Sequence, residues 1–449
     1  MTNPVPQVSF TQALLFWLKL GFISFGGPAG QIAIMQRELV DERRWISQAR
    51  FNHALNYCML LPGPEAQQLA TYIGWLMHRT SGALVAGGLF VLPSFFILIA
   101  LSWVYVAYGQ VPAVASVLWG VQCAVAAIVV HALWRVASRT MPNPKVAAIL
   151  IALAAMSFIA IAFFHISFLW IVLIAGIVGW LGAKRYPEQF SSGGGHGGAA
   201  KAGSEGYVIG DDTPTPAHAM FSKAKMIRIL LIGLALWAAS MGALVAWQGW
   251  SASLTQMGWF FSKAAMVTFG GAYAVLPYVT QTAVANQWLT PDQMMAGLAL
   301  GETTPGPLIM VVAFVGYVGQ ALEVQRMGAG ANLIGAAMFI MGGLGALVAT
   351  WFTFLPSFVF ILAGGPFVES THGKLGFTAP LKAISAAVVG AIASLAVLFI
   401  QHTVISSKGV DWAALVLMLL AAFALFKLQW GIVRVIVLCA FVGLVRGLI

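Results

Sequence analysis

The sequence predicts an all-α polytopic membrane protein made of two homologous halves, expected to be inverted-topology repeats with broken or re-entrant helices. Three observations carry that prediction. Of 449 residues, 60% are hydrophobic and only 8% charged, and mean hydropathy is +0.89, a composition outside the range of soluble domains. Apolar runs of about 20 residues, enough to cross a bilayer, recur from one end to the other. The same interruption by Gly and Pro occurs twice, as Lys19, Ser24, Phe25, Gly26, Gly27 then Pro62, Gly63, Pro64, and again as Lys263, Thr268, Phe269, Gly270, Gly271 then Pro305, Gly306, Pro307.

Taken in order, the apolar elements run over 10–27, 51–78, 83–107, 113–135, 146–164 and 166–182, then over 226–247, 254–271, 293–318, 331–363, 380–401, 411–426 and 430–448. The first segment has no basic start or cleavage site before it and reads as part of the mature protein. Between the two sets, 184–225 turns polar and Gly/Ser-rich around His196, with Pro214 and Pro216, and reads as a flexible cytoplasmic tether. The domain plan is thus an N-terminal repeat over 1–183, the linker 184–225, an extra transmembrane helix at 226–253 and a C-terminal repeat over 254–449.

The repeat extends past its signatures. Lys19 and Gly26 recur 244 residues on as Lys263 and Gly270, and Trp45 and Pro62 recur 243 on as Trp288 and Pro305. Gly82 to Ala86 and Leu92-Pro93-Ser94-Phe95 recur 263 on as Gly345 to Ala349 and Leu355-Pro356-Ser357-Phe358. Three ordered blocks with small changes of offset indicate a duplication.

Loop charge orients the copies. Arg37, Arg43, Arg44 and Arg50 follow the first Gly-Gly, whereas the matching stretch before 293 carries only Asp292, which places the two connections on opposite sides of the membrane. With all basic loops cytoplasmic, 51–79 must enter and leave on one side as a hairpin bent at Pro62-Gly63-Pro64, and 10–50 forms a second hairpin bent at Gly26-Gly27-Pro28. One extra helix before copy two then inverts it. The net charge of +10 belongs to these loops and to lipid headgroups, and a nucleic-acid partner is not expected.

Helices broken inside a bilayer free backbone groups that protein, water or ligand must satisfy, so matched breaks mark a shared ligand cavity. Half-helices starting near mid-membrane aim unpaired N–H groups and partial positive charge at an anion. Candidate ligand-binding residues are Lys19, Ser24, Gly26, Gly27, Pro62, Gly63, Pro64, Gln67, Lys263, Thr268, Gly270, Gly271, Thr304, Pro305, Gly306 and Pro307. The two lysines lie in apolar segments, where a charge is expensive, though a lysine near a helix end also snorkels to headgroups. Glu65 and Glu302 do not match between copies and are candidates for ion or proton coupling; the competing readings are a first-turn carboxylate at Glu65 and a partner for Lys263 at Glu302. Arg135, four residues after His131, reads as a surface anchor. Cys58, Cys123 and Cys439 are odd in number, lie in apolar stretches and lack metal-ligand spacing, so neither a disulfide framework nor a metal site is expected. No Walker A pattern, nucleophile cluster or cofactor motif is present, and an enzymatic role is not expected.

At these residues the chain resembles the chromate ion transporter family. The resemblance is carried by Phe16 to Gly30 (FWLKLGFISFGGPAG), Arg37 to Trp45 (RELVDERRW), Leu61 to Ala70 (LPGPEAQQLA), Phe90 to Ser94 (FVLPS), Phe269 to Pro277 (FGGAYAVLP) and Glu302 to Val311 (ETTPGPLIMV). It implies a long, two-domain protein of the bacterial inner membrane that exports chromate and confers resistance to it, with sulfate as competitor or counter-substrate. A sulfate or molybdate permease, or a chromate/sulfate exchanger, is the alternative on the same scaffold, and a homodimer is left open. Export of a dianion from a negative interior gains about 4.6 kcal/mol per 100 mV, without ATP.

Overall fold

The computed structural model describes residues 8–143, 147–186, 206–211, 213–269, 271–326, 331–371, 378–406 and 409–448. Gly270, His196 and most of the Gly/Ser-rich stretch lie outside the described residues.

Copy one begins with α1 (Phe10–Ile23), α2 (Gly27–Gln36) and a π-helical turn, Arg37–Glu42, followed by α3 (Gln48–Cys58). Ser9 starts α1 through a capping box with Gln12, and Ser47 caps α3 by accepting from the Arg50 amide, the bonds that short hydroxyl side chains supply to orphan amides. Helix α4 (Glu65–Tyr108) contains a reversal at His78 and Arg79, where φ/ψ are non-helical. Its arms fold back on each other, and a Cβ on Gly74 or on Gly82 would overlap the other residue's carbonyl oxygen. The hairpin expected over 51–79 is therefore α3 plus the first arm of α4. Three helices complete the copy: α5 (Pro112–Thr140), α6 (Ala148–Ala162) and α7 (Phe168–Arg185).

A single helix, α8 (Lys223–Gln248), leads into copy two, which repeats the order as α9 (Ser253–Met266), α10 (Ala272–Ala285), α11 (Pro291–Thr303), α12 (Val311–Arg326), α13 (Ala331–Thr371), α14 (Thr378–Val404), α15 (Trp412–Phe426) and α16 (Ile432–Leu448). Gly316 of α12 and Gly345 of α13 repeat the close crossing of Gly74 and Gly82. A short β-hairpin, Ile405–Ser406 with Gly409–Val410, joins α14 to α15. Seven helices among the described residues are long and apolar enough to cross a membrane.

The halves interlock rather than sit side by side. Helices α6 and α7 pack on α14 of copy two, α15 and α16 pack on α5 of copy one, and α5 packs on α14, while α4 lies against α13. Two buried clusters result. One surrounds Phe16, Trp17, Phe51, Tyr72 and Phe90 and includes Ile361 of copy two; the larger joins α5 and α7 to most of copy two.

The reading of 184–225 as a flexible tether is corrected over 206–222. There the chain is fastened across copy one: Ile209 pairs with Ile46 in a parallel bridge, the Ser47 amide donates to Ile209 O at 2.9 Å and the Ile209 amide to Trp45 O at 3.0 Å. The Arg50 guanidinium donates to Thr213 O at 2.7 Å, Ser47 donates to the Asp211 carboxylate, and a His218 ring nitrogen meets Trp75 O at 3.0 Å. Polar composition concealed a short apolar stretch, Tyr207-Val208-Ile209, whose side chains pack on the copy-one core. That burial offsets the entropy of ordering the segment.

Candidate functional site

Each copy breaks its first helix in the same way. After α1, Ser24 is buried and its hydroxyl donates back to Leu20 O at 2.7 Å; after α9, Thr268 is buried and donates back to Ala264 O at 2.6 Å. Gly26, Gly27 and Gly271 follow with φ of 90°, 68° and 93°, the left-handed region that glycine enters without steric cost. Pro28 then stands in the first turn of α2, where its missing N–H removes no bond. Copy two lacks that proline but breaks nonetheless. The two sites adjoin, since a Cβ on Gly271 would sit 3.9 Å from Pro28 Cγ.

The second break of each copy closes on the first break of the other. The Gly63 amide donates to Thr268 O at 2.7 Å, and the Gly306 amide donates to Ser24 O at 2.8 Å. These reciprocal bonds satisfy backbone groups that the broken helices leave free. Pro64 occupies the position just before α4, and Pro307 precedes the 3-10 turn Leu308–Met310 that feeds α12. Pro62 O accepts from Gln68 Nε2 at 2.8 Å, and Pro305 lies in the matching bend. Thr304 is buried, its hydroxyl directed to Gly301 O at 3.3 Å.

Around each Pro-Gly-Pro glycine stands the serine of the other copy's Leu-Pro-Ser-Phe block. A Cβ on Gly63 would overlap the Ser357 hydroxyl and the Gln68 amide, and a Cβ on Gly306 would lie 2.8 Å from Ser94 Cβ. Gln31 of α2 donates its amide to Gly306 O. Both serine hydroxyls, and the carbonyl oxygens of Gln31, Gln67 and Gln68, are buried with no partner among the described residues, while Gln67 Nε2 donates to Thr71 Oγ1 at 2.9 Å. Unpaired buried polar atoms cost about 1–3 kcal/mol each, and four of these five belong to residues that meet Gly63 or Gly306. The sequence reading did not name Gln31, Ser94 or Ser357 as candidates; Ser94 and Ser357 recur in Leu-Pro-Ser-Phe, read there as evidence of duplication, and Ser94 also ends one of the stretches that carry the family resemblance.

The charges are arranged differently from the expectation that both lysines face the ligand. Lys19 Nζ pairs with Glu38 at 2.9 Å and its side chain is half-exposed, so a neighbouring carboxylate already takes its charge. The Lys263 ammonium lies 5.6 Å from the Trp259 ring centroid. Glu65, the first residue of α4, is buried and sits where the helix dipole favours a carboxylate. Glu302 is buried and accepts from the Tyr273 hydroxyl, rather than pairing with Lys263. Arg135 and Arg139, four apart in the last turns of α5, are exposed and form no ion pair with either acid among the described residues.

The Lys19–Glu38 pair gives a pH prediction. Burial alone would push the Glu38 carboxyl up, but the hydrogen bond and charge of Lys19, then those of Arg43, outweigh it and hold the group below its ordinary value of 4.5. A depressed carboxylate stabilises the fold above its unfolded pKa, and that contribution is lost as pH falls through the folded value. Glu38→Gln is expected to flatten the acid limb of a thermal-stability profile below about pH 4.5 and to leave the neutral region parallel to wild type; an unchanged acid limb would show that the pair contributes nothing.

Fold and site together define the class: a multi-pass membrane transporter of two homologous halves whose broken helices meet in a buried polar junction. The family model for chromate transporters matches residues 11–180 and 255–444, and the chain belongs to the chromate transporter family. It is 28% identical over 431 residues to a chromate transport protein of Cupriavidus metallidurans, covering 95% of this chain and 90% of the relative. It is 33% identical over 407 residues to a chromate transport protein of Pseudomonas aeruginosa, covering 89% and 83%. A probable chromate transport protein of Synechococcus elongatus is 26% identical over 394 residues, covering 87% and 85%. No solved structure matches the chain.

Proposed function

We propose that this chromate transporter is a secondary exporter of the bacterial plasma membrane, that it confers chromate resistance, and that it works by alternating access around the junction of the four breaks. The observation that carries the reading is the reciprocal pair of bonds, Gly63 N–H to Thr268 O and Gly306 N–H to Ser24 O. Each bond joins one copy to the other, so rocking of one half against its partner must break or carry one of them, and the ligand held beside them meets each side in turn. The left-handed glycines allow close backbone approach, the Ser94 and Ser357 hydroxyls donate to oxyanion oxygens, and Glu65 and Glu302 exchange the coupling proton. Arg135 and Arg139 attract the anion from the basic, cytoplasmic end of α5.

The inverted arrangement of the copies belongs to the same proposal and is supported by the single helix α8 between them and by the charge asymmetry of their loops. Single cysteines in 28–50 and in 272–292 are expected to label from opposite sides of the membrane; same-side labelling would end the inverted plan.

Chromate flux in proteoliposomes with imposed voltage, pH and sulfate gradients tests direction and coupling together. An outward-directed flux driven by an interior-negative potential is the expected result. Flux that requires sulfate on the opposite side would instead identify an exchanger, and accumulation of sulfate or molybdate without chromate movement would identify a permease.

A further inference from the structure

The two half-sites offer acceptors as well as donors. At Gly63, Gln68 gives its amide to Pro62 O, and at Gly306, Gln31 gives its amide to the glycine's own carbonyl. Because a carbonyl partner accepts only a donor, both amide orientations are fixed by chemistry. What remains, buried and unpartnered among the described residues beside the serine hydroxyls, is a carbonyl oxygen on each glutamine. Lone pairs so placed repel a bare tetrahedral dianion. They are satisfied by an oxyanion that carries a hydrogen.

Resting on the reading of the junction as the oxyanion site, we propose that it binds chromate in its singly protonated form: at either half-site a serine donates to a ligand oxygen and the neighbouring glutamine accepts the ligand's O–H, Ser357 with Gln68 beside Gly63 and Ser94 with Gln31 beside Gly306. Hydrogen chromate and chromate interconvert near neutral pH, whereas sulfate is a much stronger acid's anion and is bare throughout that range. The acceptors therefore discriminate between anions of the same shape, as a site built to bond a hydroxyl rejects the analogue lacking it. One negative charge then crosses with each ligand instead of two. With Lys19 held by Glu38, the smaller charge also suits the positive charge left at the site.

Other groups on the elements around the junction titrate or carry charge: Cys58 of α3, Glu65 of α4, Tyr273 of α10, Glu302 of α11, Arg135 and Arg139 of α5, and, set apart from the two breaks by their own partners, the Lys19–Glu38 pair and Lys263 on the first helix of each copy. Their titration changes the affinity for every anion, while titration of the ligand changes that for chromate alone. The test is equilibrium binding of chromate to the purified full chain from about pH 6 to about pH 9, with sulfate competition measured alongside. Chromate affinity is expected to fall, relative to that of sulfate, by about tenfold per pH unit above the point where hydrogen chromate loses its proton, because apparent affinity scales with the competent fraction. Gln31→Met with Gln68→Met is expected to remove that relative slope and to narrow the preference over sulfate. A chromate affinity that tracks sulfate across the range, but is still lost with Ser94→Ala and Ser357→Ala combined, would overturn the protonated ligand and leave the site standing. Unchanged chromate binding in the double serine variant, with the protein still folded by circular dichroism, would overturn the site itself.

Discussion

Alanine at Gly63 or Gly306 is expected to cut chromate flux by more than about tenfold while the protein remains inserted in the membrane. Both glycines have positive φ, 130° and 100°, and each amide makes the bond that ties its break to the other copy. A Cβ at Gly63 collides with Ser357 and Gln68, and one at Gly306 presses on Ser94. Backbone strain and overpacking each cost about 1–3 kcal/mol, and either moves the atoms to which the proposal assigns the ligand. Since about 1.4 kcal/mol is tenfold in rate, flux should fall by more than about tenfold in each variant. Gly88→Ala is the control: nothing lies within 4 Å of its added Cβ, and it sits inside the second arm of α4. Equal flux in Gly63→Ala, Gly306→Ala and Gly88→Ala would show that close packing at the Pro-Gly-Pro glycines has no role in transport.

The second large effect is on stability. Arg50 at the start of α3 pairs with Glu369 near the end of α13 at 2.6 Å, with side-chain exposures of 12% and 2%, and the Tyr72 hydroxyl donates to the same carboxylate. This is a buried ion pair between copy one's hairpin and copy two's long helix, and Arg50 also holds the docked strap, the fastened segment 206–222, through Thr213. Removing one partner of such a pair leaves a buried charge without compensation and costs about 3–5 kcal/mol. Glu369→Leu should therefore lower the thermal midpoint of the detergent-solubilised protein and expose 206–222 to limited proteolysis. Arg50→Met combined with Glu369→Leu should recover most of the midpoint, because a buried ion pair replaced as a whole by apolar groups is often neutral. A single variant as stable as wild type would remove the pair from any account of how the halves are held.

Much of this architecture was legible in the sequence because it is written in side chains with strong local consequences. Glycine and proline announce the breaks, apolar length announces the spans, and the offsets of 244, 243 and 263 between matched blocks announce the duplication. Three features were not legible, each for a physical reason. The reciprocal bonds are made by main-chain groups that every residue carries, so no residue type signals them. The neutralisation of Lys19 depends on Glu38, which is distant in sequence and reaches the lysine only through the π-helical turn after α2. The docked strap is an apolar triplet within polar surroundings, too short to register in a composition reading. Ser94 and Ser357 fall between these cases: visible as a repeated block, they acquire meaning only when each is seen against the other copy's glycine.

The same structure explains why the acids differ between copies while the scaffold does not. Glu65 opens α4 immediately after Pro64, whereas Glu302 lies before its Pro-Gly-Pro and is held by Tyr273. A symmetric backbone junction thus carries two carboxylates in different settings, one in the first turn of a helix and one bonded to a tyrosine hydroxyl.

The most direct test of the central claim is the position of the ligand itself, read from anomalous scattering at the chromium edge in crystals soaked with chromate. A chromium peak within hydrogen-bond reach of the Ser94 or the Ser357 hydroxyl, at the Gly306 or the Gly63 break, is the predicted result. A peak beside Lys19 and Glu38 or beside Lys263 and Trp259, with the junction vacant, would contradict it.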